Sequence, residues 1–330
     1  MIDILSEING VSGAECKVSE YIKEMLDGVG FDITEDGMGN LFVCSEKVEN
    51  ASTVVLSAHM DEAGFIITAV TDDGYLKFDT IGEIPAASLL SKRVSVEGVP
   101  GIISAKAVHL LSKEERNTPV KIEDLFIDIG AASYADAISC VKPGDYCSFD
   151  NDFYRLGDDY ISNKALSGRS GCEILLDILK NIDTKNINIT AIFTTQKNVS
   201  SRGMKTALHS IKYADLAIVF DCVEVHKKEL FEYDIMVSLP SISTDPRCSE
   251  YAKKLISAAE CCGIKCKIEA ADCKTDADIF TNERPYIPAI IAAVPCLNKN
   301  TPSEIIKQRS ISAAVKGVLK LTEGLKNGIL

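Results

Sequence analysis

The sequence predicts an α/β domain that is interrupted by a β-rich insert. The first observation is that strands and helices alternate from about Tyr160 to the end of the chain. The second is that short strands separated by turn residues fill the stretch from Gly64 to about Asp159. Strand–helix alternation is typical of a largely parallel sheet. Because the N-terminal segment shows the same alternation, we predict one domain from residues 1–64 plus 160–330 and an insert over residues 65–159.

The elements of the α/β domain follow from helical and strand periodicity. Apolar residues at helical spacing, such as Ile174, Leu175 and Ile178, indicate a helix, and β-branched runs such as Ile187–Thr195 indicate a strand. The predicted helices cover residues 14–29, 170–181, 202–211, 246–262 and 310–326, and the predicted strands cover 53–58, 187–195, 216–223, 265–270 and 289–296.

The insert consists of short strands with turn signals between them. The runs FIITAV and YLKFDTI flank Asp72-Asp73-Gly74, and the runs RVSVEG and IISAK flank Pro100-Gly101. Each pair of runs is therefore predicted to be two strands joined by a turn at the residues between them. One helix is predicted over Tyr134–Cys140.

Composition and charge exclude several classes of protein. Hydrophobic residues make up 46% and charged residues 25% of the 330 residues, which is typical of a globular chain. The 48 acidic and 35 basic residues leave a net charge of −13, which repels nucleic-acid phosphates and anionic lipid. The longest apolar run, Ala289–Leu297, is about half a bilayer span, and the N-terminus lacks the features of a signal peptide. We therefore predict a cytoplasmic protein without nucleic-acid or membrane partners.

The 12 cysteines show neither a disulfide pattern nor a zinc pattern. A large chain without a secretion signal is expected to keep its thiols reduced. The one cluster, Cys261, Cys262, Cys266 and Cys273, contains no C-x-x-C pair and no nearby histidine. We interpret these thiols as small packing groups rather than as zinc ligands.

Polar residues follow four of the predicted strands, and the carboxyl ends of parallel strands are where sites form in such sheets. Taken alone, a histidine after a strand is more often a satisfied polar residue than a ligand, and Asp221 could equally cap a turn. No Gly-x-Ser-x-Gly elbow is present, which argues against a serine hydrolase. The candidate residues at the strand ends are His59 with Asp61, the stretch Thr195–Asn198, Asp221, and Asn298, Asn300 and Thr301.

The other three histidines are predicted to lie outside any site. His109 falls in the insert, where we expect a structural hydrogen bond. His209 and His226 are expected on the surface.

A series of short motifs runs along nearly the whole chain: Gly10–Gly13, Asp36–Leu41, Ala58–Glu62, His109–Leu111, Lys113–Arg116, Pro119–Ala131, Lys142–Asp145, Lys164-Ala165, Gly203–Ala207, Asp221 and Thr275-Asp276. In this order and spacing they resemble the M42 aminopeptidases, cytosolic di-metal enzymes that build tetrahedral peptide-degrading dodecamers. The resemblance implies a three-layer zinc-peptidase α/β domain with an inserted PDZ-like dimerisation domain.

The resemblance also implies a role for each candidate position, and several of the residues depart from it. His59 and Asp221 stand where the private ligands of the first metal are expected, and Asp61 stands where a carboxylate orients the ligand histidine. Three of five ligand positions and the general base are replaced: Ser167 is in place of the bridging aspartate, Asn198 of the acidic ligand, Asn300 of the second histidine and Lys197 of the base glutamate.

These replacements predict a protein that is not a working two-metal peptidase. The bridge and the acidic ligand lose two negative charges, and a unit charge at 4 Å is worth about 4 kcal/mol at an effective dielectric near 20. Our first hypothesis is a catalytically inactive family member that serves as a structural, regulatory or peptide-binding subunit, with no cofactor. The alternative is a working hydrolase with one divalent metal, zinc or cobalt, at His59 and Asp221. Its third ligand could be Cys222, Asp276 or Asp278, and their spacing favours none of them.

Two further expectations follow from the resemblance. The run Pro119–Ala131 is kept, so the dimer module is expected to work, giving a homo-oligomer from dimer to dodecamer or a mixed assembly with an active paralogue. The Lys197 ammonium is expected to replace the lost metal charge by pairing with Asp221 or Asp61, with Asn198 and Asn300 hydrogen-bonded in the same place. The other interpretation is that Lys197 points out of the cleft into solvent.

Overall fold

Two sheets organise the chain, and the computed structural model describes residues 1–113, 117–241, 245–270, 275–284 and 286–326. The helices are α1 (Ile2–Glu7), α2 (Cys16–Met25), α3 (Tyr134–Cys140), α4 (Leu166–Asn181), α5 (Arg202–Ala207), α6 (Lys227–Glu232), α7 (Pro246–Cys261), α8 (Asp276–Glu283) and α9 (Gln308–Lys326). The strands are β1 (Asp32–Glu35), β2 (Leu41–Cys44), β3 (Ser52–His59), β4 (Gly64–Val70), β5 (Leu76–Ile81), β6 (Arg93–Val96), β7 (Val99–Ala105), β8 (Leu125–Asp128), β9 (Tyr146–Phe149), β10 (Tyr154–Leu156), β11 (Tyr160–Asn163), β12 (Ile187–Thr194), β13 (Leu216–Glu224), β14 (Ile235–Leu239), β15 (Cys266–Ala270), β16 (Ala289–Leu297) and β17 (Glu304–Lys307).

The large sheet is parallel in its centre and antiparallel towards its edges. Its order is β1-β2-β12-β3-β13-β16-β17-β11-β10, and β14 and β15 extend it beside β16. The neighbours β12, β3, β13 and β16 run parallel, whereas β1, β2, β17, β11 and β10 pair antiparallel. The prediction of a largely parallel sheet is therefore right only for the centre. The short connections β1–β2, β10–β11 and β16–β17 cannot make a parallel crossover, so these pairs are antiparallel.

Helices cover both faces of this sheet, as predicted for a three-layer domain. One face packs a cluster that contains Leu5 of α1, Ile22 of α2, Ile178 of α4, Leu255 of α7 and Val318 of α9. The other face packs Met204 of α5, Leu230 of α6 and Phe280 of α8. With both faces covered, the central strands are buried along their length, so they are apolar runs without polar alternation.

The insert is a closed barrel with strand order β4-β5-β8-β7-β6-β9 and a core of its own. Phe65 lies in that core with its ring edge-on to Phe78 and Phe149, at centroid distances of 5.1 and 5.2 Å. Strand β10, which falls inside the range 65–159 predicted for the insert, pairs with β11 of the large sheet. The change of sheet therefore lies between Phe149 and Tyr154, earlier than the predicted boundary.

Two local predictions are corrected by the structure. The turn between β6 and β7 is not at Pro100-Gly101 but at Glu97-Gly98, because Val96 pairs with Val99. Both turn residues have positive φ, 47° and 94°, as a two-residue hairpin with the twist of its strands requires. Helix α4 begins at Leu166 rather than at residue 170, and its first turns, rich in glycine and serine, have low helix propensity.

The structure also bears on the predictions that no membrane is crossed and that the clustered cysteines are free thiols. None of the helices in the described residues is long and apolar enough to cross a membrane. Cys261 and Cys262 are exposed and Cys266 is half-buried, all as free thiols, whereas Cys273 lies outside the described residues. Part of the Lys113–Arg116 motif, residues 114–116, also lies outside them.

Candidate functional site

The candidate residues meet at the carboxyl edge of the parallel strands. His59 ends β3 and pairs in register with Thr194 at the end of β12. Asp221 lies in β13, next to β3 in the sheet. His59, Asp61 and Asp221 are each no more than 3% exposed. The structure thus brings together residues that are far apart in sequence, around a buried pair of carboxylates.

Asp61 is held by hydrogen bonds that occupy both of its carboxylate oxygens. Its Oδ1 accepts the backbone N–H of Lys197 at 2.9 Å. Its Oδ2 accepts the Ser12 hydroxyl at 2.5 Å and the backbone and side-chain amides of Asn198 at 2.9 and 2.8 Å. Although burial raises the pKa of Asp61, hydrogen bonds from His59, Ser12 and Asn198 hold it well below the usual value. The expectation that Asn198 is hydrogen-bonded within the site is confirmed.

His59 is oriented by Asp61 and faces Asp221. Its Nδ1 lies 3.0 Å from the backbone oxygen and 3.3 Å from Oδ1 of Asp61. Its Nε2 lies 3.8 Å from Asp221 Oδ1, too long for a hydrogen bond, and has no hydrogen-bond partner among the described residues. Burial lowers the pKa of His59, but the carboxylates of Asp221 and Asp61 raise it to about 9. The ring is therefore an imidazolium at neutral pH.

Gly168 provides the space in which the His59 ring lies. A Cβ added at this glycine would be 2.6 Å from Cε1 and 2.8 Å from Nδ1 of His59. Real Cβ atoms do not make contacts this short, so a side chain at residue 168 is incompatible with this position of the ring. Gly168 is therefore a requirement of the site that sequence analysis missed.

Asp221 is paired with two ammonium groups, one on each carboxylate oxygen. Lys197 Nζ lies 3.3 Å from Oδ2, and Lys299 Nζ lies 2.9 Å from Oδ1. The backbone N–H of Cys222 also donates to Oδ1 at 2.7 Å. Burial raises the pKa of Asp221, but the charges of Lys197 and Lys299 hold it well below its usual value. The predicted contact between Lys197 and Asp221 is present in the structure.

Lys299 was not among the predicted site residues. It lies in the loop after β16, directly before Asn300, and its ammonium also donates to the backbone oxygen of Cys222 at 2.5 Å. A lysine at the end of a buried strand that already carries candidate residues was the available signal. Which way its long side chain turns could not be inferred from the sequence.

Ser167 and Asn300 are bound to a buried carboxylate, Glu304, that sequence analysis also missed. Glu304 is 1% exposed, and it accepts the backbone N–H and hydroxyl of Ser167 at 2.7 and 3.0 Å. It also accepts the backbone N–H of Asn300 at 2.6 Å. Burial raises the pKa of Glu304 to about 7, against these three hydrogen bonds.

The side chain of Asn300 does not enter the site, in contrast to the prediction. Its Nδ2 donates to the backbone oxygen of Glu83, in the loop that follows β5 of the insert, at 3.1 Å. Asn300 has a positive φ of 60°, so the local turn directs its side chain towards the insert.

The loop after β12 is positioned by the Asp36–Leu41 motif. Asn40 Oδ1 accepts the backbone N–H of Thr195 at 3.0 Å, and its Nδ2 donates to the backbone oxygen of Gly203 at 3.0 Å. A Cβ on Gly203 would be 2.2 Å from the backbone oxygen of Thr195, so only glycine fits there. This motif therefore sets the position of the Lys197 and Asn198 backbone amides that bind Asp61.

The residues considered as a third metal ligand have other partners. Asp276 Oδ2 accepts the Thr194 hydroxyl at 2.8 Å, and Asp278 Oδ1 accepts the Ser241 hydroxyl at 2.6 Å. Cys222 Sγ lies 3.4 Å from Ser170 Oγ. In the described part of the chain, no group of three or more His, Cys, Asp and Glu side chains is arranged to hold a metal ion. His109, His209 and His226 are exposed, as expected for the last two.

The side chains at this site do not fit the pair of divalent ions that the resemblance implies. Two ammonium groups already neutralise Asp221, and four donors occupy Asp61. Ser167 and Asn198, at two of the ligand positions, are neutral. The unpartnered Nε2 of His59, next to Asp221, could bind a cation only after losing its proton.

Comparisons with known proteins identify the family. The sequence profile described as "M42 glutamyl aminopeptidase" matches residues 39–316. The chain is 32% identical over 227 residues to "Putative aminopeptidase FrvX" of Escherichia coli (67% of this chain, 63% of that protein). It is 35% identical over 224 residues to an aminopeptidase homologue of Acetivibrio thermocellus (67% of this chain, 66% of that protein). The chain thus matches somewhat less than two thirds of the length of these two relatives.

Solved structures agree with the sequence comparison. The TET aminopeptidase of a marine sediment archaeon of the Thaumarchaeota has a TM-score of 0.90 at 25% identity, over 100% of this chain and 98% of that one. The TET1 peptidase of Pyrococcus horikoshii has a TM-score of 0.84 at 28% identity, over 96% and 97% of the two chains. From the profile match, the relatives and the shared fold, we conclude that this chain belongs to the M42 glutamyl aminopeptidase family.

Proposed function

We propose that this family member does not hydrolyse peptides by two-metal chemistry and acts instead as a structural, regulatory or peptide-binding subunit of an oligomer. The observation that carries the proposal is the pairing of both Asp221 oxygens with the ammonium groups of Lys197 and Lys299. A cytoplasmic location is part of this proposal.

The positive charge around Asp221 opposes the binding of a divalent ion. Each ammonium within about 4 Å of a carboxylate contributes about 4 kcal/mol of attraction at an effective dielectric near 20. A divalent ion between Asp221 and His59 would have to displace Lys299 from Oδ1 and the proton from His59, and it would lie near the remaining Lys197 ammonium. Neither Ser167 nor Asn198 supplies the negative charge that would compensate a second ion.

The protonation of Lys197 and His59 also opposes peptide hydrolysis at this site. A general base must accept a proton from water at neutral pH. Lys197, at the base position, is an ammonium ion-paired with Asp221, so it can donate but not accept. His59, with its pKa raised to about 9, is also protonated. The site can bind and orient polar groups, but neither Lys197 nor His59 is suited to activate water.

The insert supports an oligomeric role. The TET1 peptidase of Pyrococcus horikoshii can assemble into a tetrahedron or a large octahedral shell. The barrel of this chain exposes large apolar side chains, with Leu90 47%, Ile102 50% and Leu110 61% exposed. Contiguous exposed apolar surface is typical of a protein interface, and we propose that these side chains contribute to one. We propose that the barrel is the PDZ-like dimerisation domain of a homo-oligomer, or of a mixed assembly with an active paralogue.

A second candidate function is a hydrolase with one metal ion. The unpartnered Nε2 of His59, 3.8 Å from Asp221 Oδ1, is the observation that favours it. Zinc or cobalt bound there would have two protein ligands, one fewer than is usual for catalytic zinc. Such an ion would have to displace the proton of His59 and compete with Lys299 for Asp221 Oδ1.

The experiment assays the purified protein with aminoacyl-anilides in the presence of zinc, cobalt or manganese. We expect no turnover above background, with glutamyl aminopeptidase of Lactococcus lactis as the active control. Metal analysis after purification without chelator separates the two candidates: the first predicts no bound ion, and the second about one per chain. Metal-dependent turnover that a chelator abolishes would end the first proposal.

A further inference from the structure

One loop of the insert lies against the site. The loop of residues 82–85 connects β5 to the rest of the barrel. It meets the α/β domain at two places, and in each place the contacting residue stands where the family resemblance expects a metal ligand. These two residues are Asn198 and Asn300.

The first contact is a hydrogen bond. Asn300 Nδ2 donates to the backbone oxygen of Glu83 at 3.1 Å. Asn300 is itself fixed, because its backbone N–H donates to the buried Glu304, which also binds Ser167. The side-chain amide therefore connects a carbonyl of the insert to a rigid part of the α/β domain.

The second contact is close packing. Gly82 has a positive φ of 91°, and a Cβ on it would lie 3.1 Å from the Cβ atoms of both Asn198 and Ala63. Asn198 is anchored in turn by its two hydrogen bonds to Asp61 Oδ2. The backbone of the loop thus approaches the site as closely as a glycine permits.

We propose that this site is also the contact that fixes the insert on the α/β domain, which we call the joint. In the joint, Asn198 and Asn300 hold the 82–85 loop against the α/β domain, and the loop covers the site. Lys197 directly precedes Asn198 and Lys299 directly precedes Asn300, and the side chains of both lysines are only 10% exposed. A neutral amide suits this role, because it donates to a backbone carbonyl without bringing an uncompensated charge.

The joint rests on the proposed function in one respect: a position that ligates a metal cannot also clamp the loop. The joint adds a second point: the site fixes the position of the insert, and the insert presents the exposed apolar side chains. Opening of the site and movement of the insert are then one event.

The test measures how fast Lys197 and Lys299 are acetylated in the intact protein by a limiting amount of an amine-reactive acetylating reagent. Peptide mass spectrometry gives the acetylated fraction of each lysine over time. Asn300→Ala removes the hydrogen bond, and Gly82→Ala pushes the loop away without changing a residue of the α/β domain. We expect each variant to raise both acetylation rates about tenfold, which corresponds to about 1.4 kcal/mol. Asn298→Ala is the matched control, since Asn298 lies in the same turn but its side chain donates to Ser303 within that turn.

Both variants must show the effect. Unchanged rates in either one, with circular dichroism showing a folded protein, would overturn the joint. So would wild-type rates at Lys197 and Lys299 equal to that of the exposed Lys316. Acetylation is independent of turnover, so the joint can fail while the protein is inactive, and an active protein would overturn the proposed function whatever the rates.

Discussion

Lys299 Nζ lies 2.9 Å from Asp221 Oδ1, on the carboxylate oxygen opposite the one that pairs with Lys197. A buried carboxylate needs compensating charge, and this one receives two units from side chains of its own chain. Because Lys299 would remain on Asp221, we expect that a single substitution at residue 197 does not recreate a metal site. The second lysine also makes the arrangement testable by stability as well as by activity.

Removing both lysines should destabilise the fold. The variant Lys197→Met with Lys299→Met leaves buried Asp221 with the His59 ring but neither ammonium, and we expect a loss of about 3–5 kcal/mol in the free energy of unfolding. Each single variant should lose less, because one ammonium remains. Urea unfolding measures the loss, and Lys316→Met, at an exposed position of α9, is the control. A double variant as stable as the wild type would contradict the pairing.

Lys197→Glu should not restore peptidase activity. The substitution returns the family's base, but Ser167, Asn198 and Asn300 still stand at three ligand positions, and Lys299 still neutralises Asp221. We expect no turnover of aminoacyl-anilides with added zinc or cobalt, and a lower stability from the new carboxylate beside Asp221. Turnover that depends on the added metal would show that fewer ligands suffice than the charge argument requires.

Gly168→Ala should destabilise the site. The new methyl group would lie 2.6 Å from His59 Cε1, so the ring or α4 must move. Overpacking of this kind costs about 1–3 kcal/mol. Gly37→Ala is a suitable control, because its added Cβ has no neighbour within 4 Å and its φ is not in the left-handed region. Equal unfolding free energies for the two variants would mean that His59 is not held where the structure places it.

The fold should become less stable as the pH rises from about 4.5 to 7. Burial raises the pKa of Glu173 from 4.5 to about 7, so the native state holds a proton that the unfolded state has released in this window. Stability therefore falls with rising pH, by about 2 kcal/mol for this residue after allowance for its partial exposure.

Glu173→Gln should remove this contribution. The test compares the unfolding free energy of wild type and variant at pH 4.5 and pH 7.5, since other groups, such as Glu304, titrate in the same window. The variant's change should be smaller than that of the wild type. Glu20→Gln, on the exposed face of α2, is the control and should leave the wild-type change unaltered. Parallel profiles for Glu173→Gln and wild type would refute the prediction.

Much of the fold is encoded in patterns that depend only on local sequence. The strands β3, β13 and β16 contain the apolar stretches Val54–Leu56, Leu216–Phe220 and Ala289–Leu297, because helices cover both faces of the sheet centre. The helix over Tyr134–Cys140 has the predicted limits, and its N-cap Ser133 accepts the N–H of Asp136. Where local signals conflict, the prediction fails: Pro100-Gly101 looks like a turn, but strand pairing places the turn at Glu97-Gly98.

By itself, the sequence determined the central strands of the large sheet, the helix over Tyr134–Cys140 and the residue types at the strand ends, and it predicted that Lys197 pairs with Asp221 or Asp61. Only the tertiary structure decided that Lys299 joins that contact, that Glu304 binds Ser167, and that Asn300 reaches Glu83 of the insert. The physical reason is that side-chain direction at a strand end depends on turn geometry and on neighbours far away in the chain. Those neighbours come together only when the sheet and the barrel have packed.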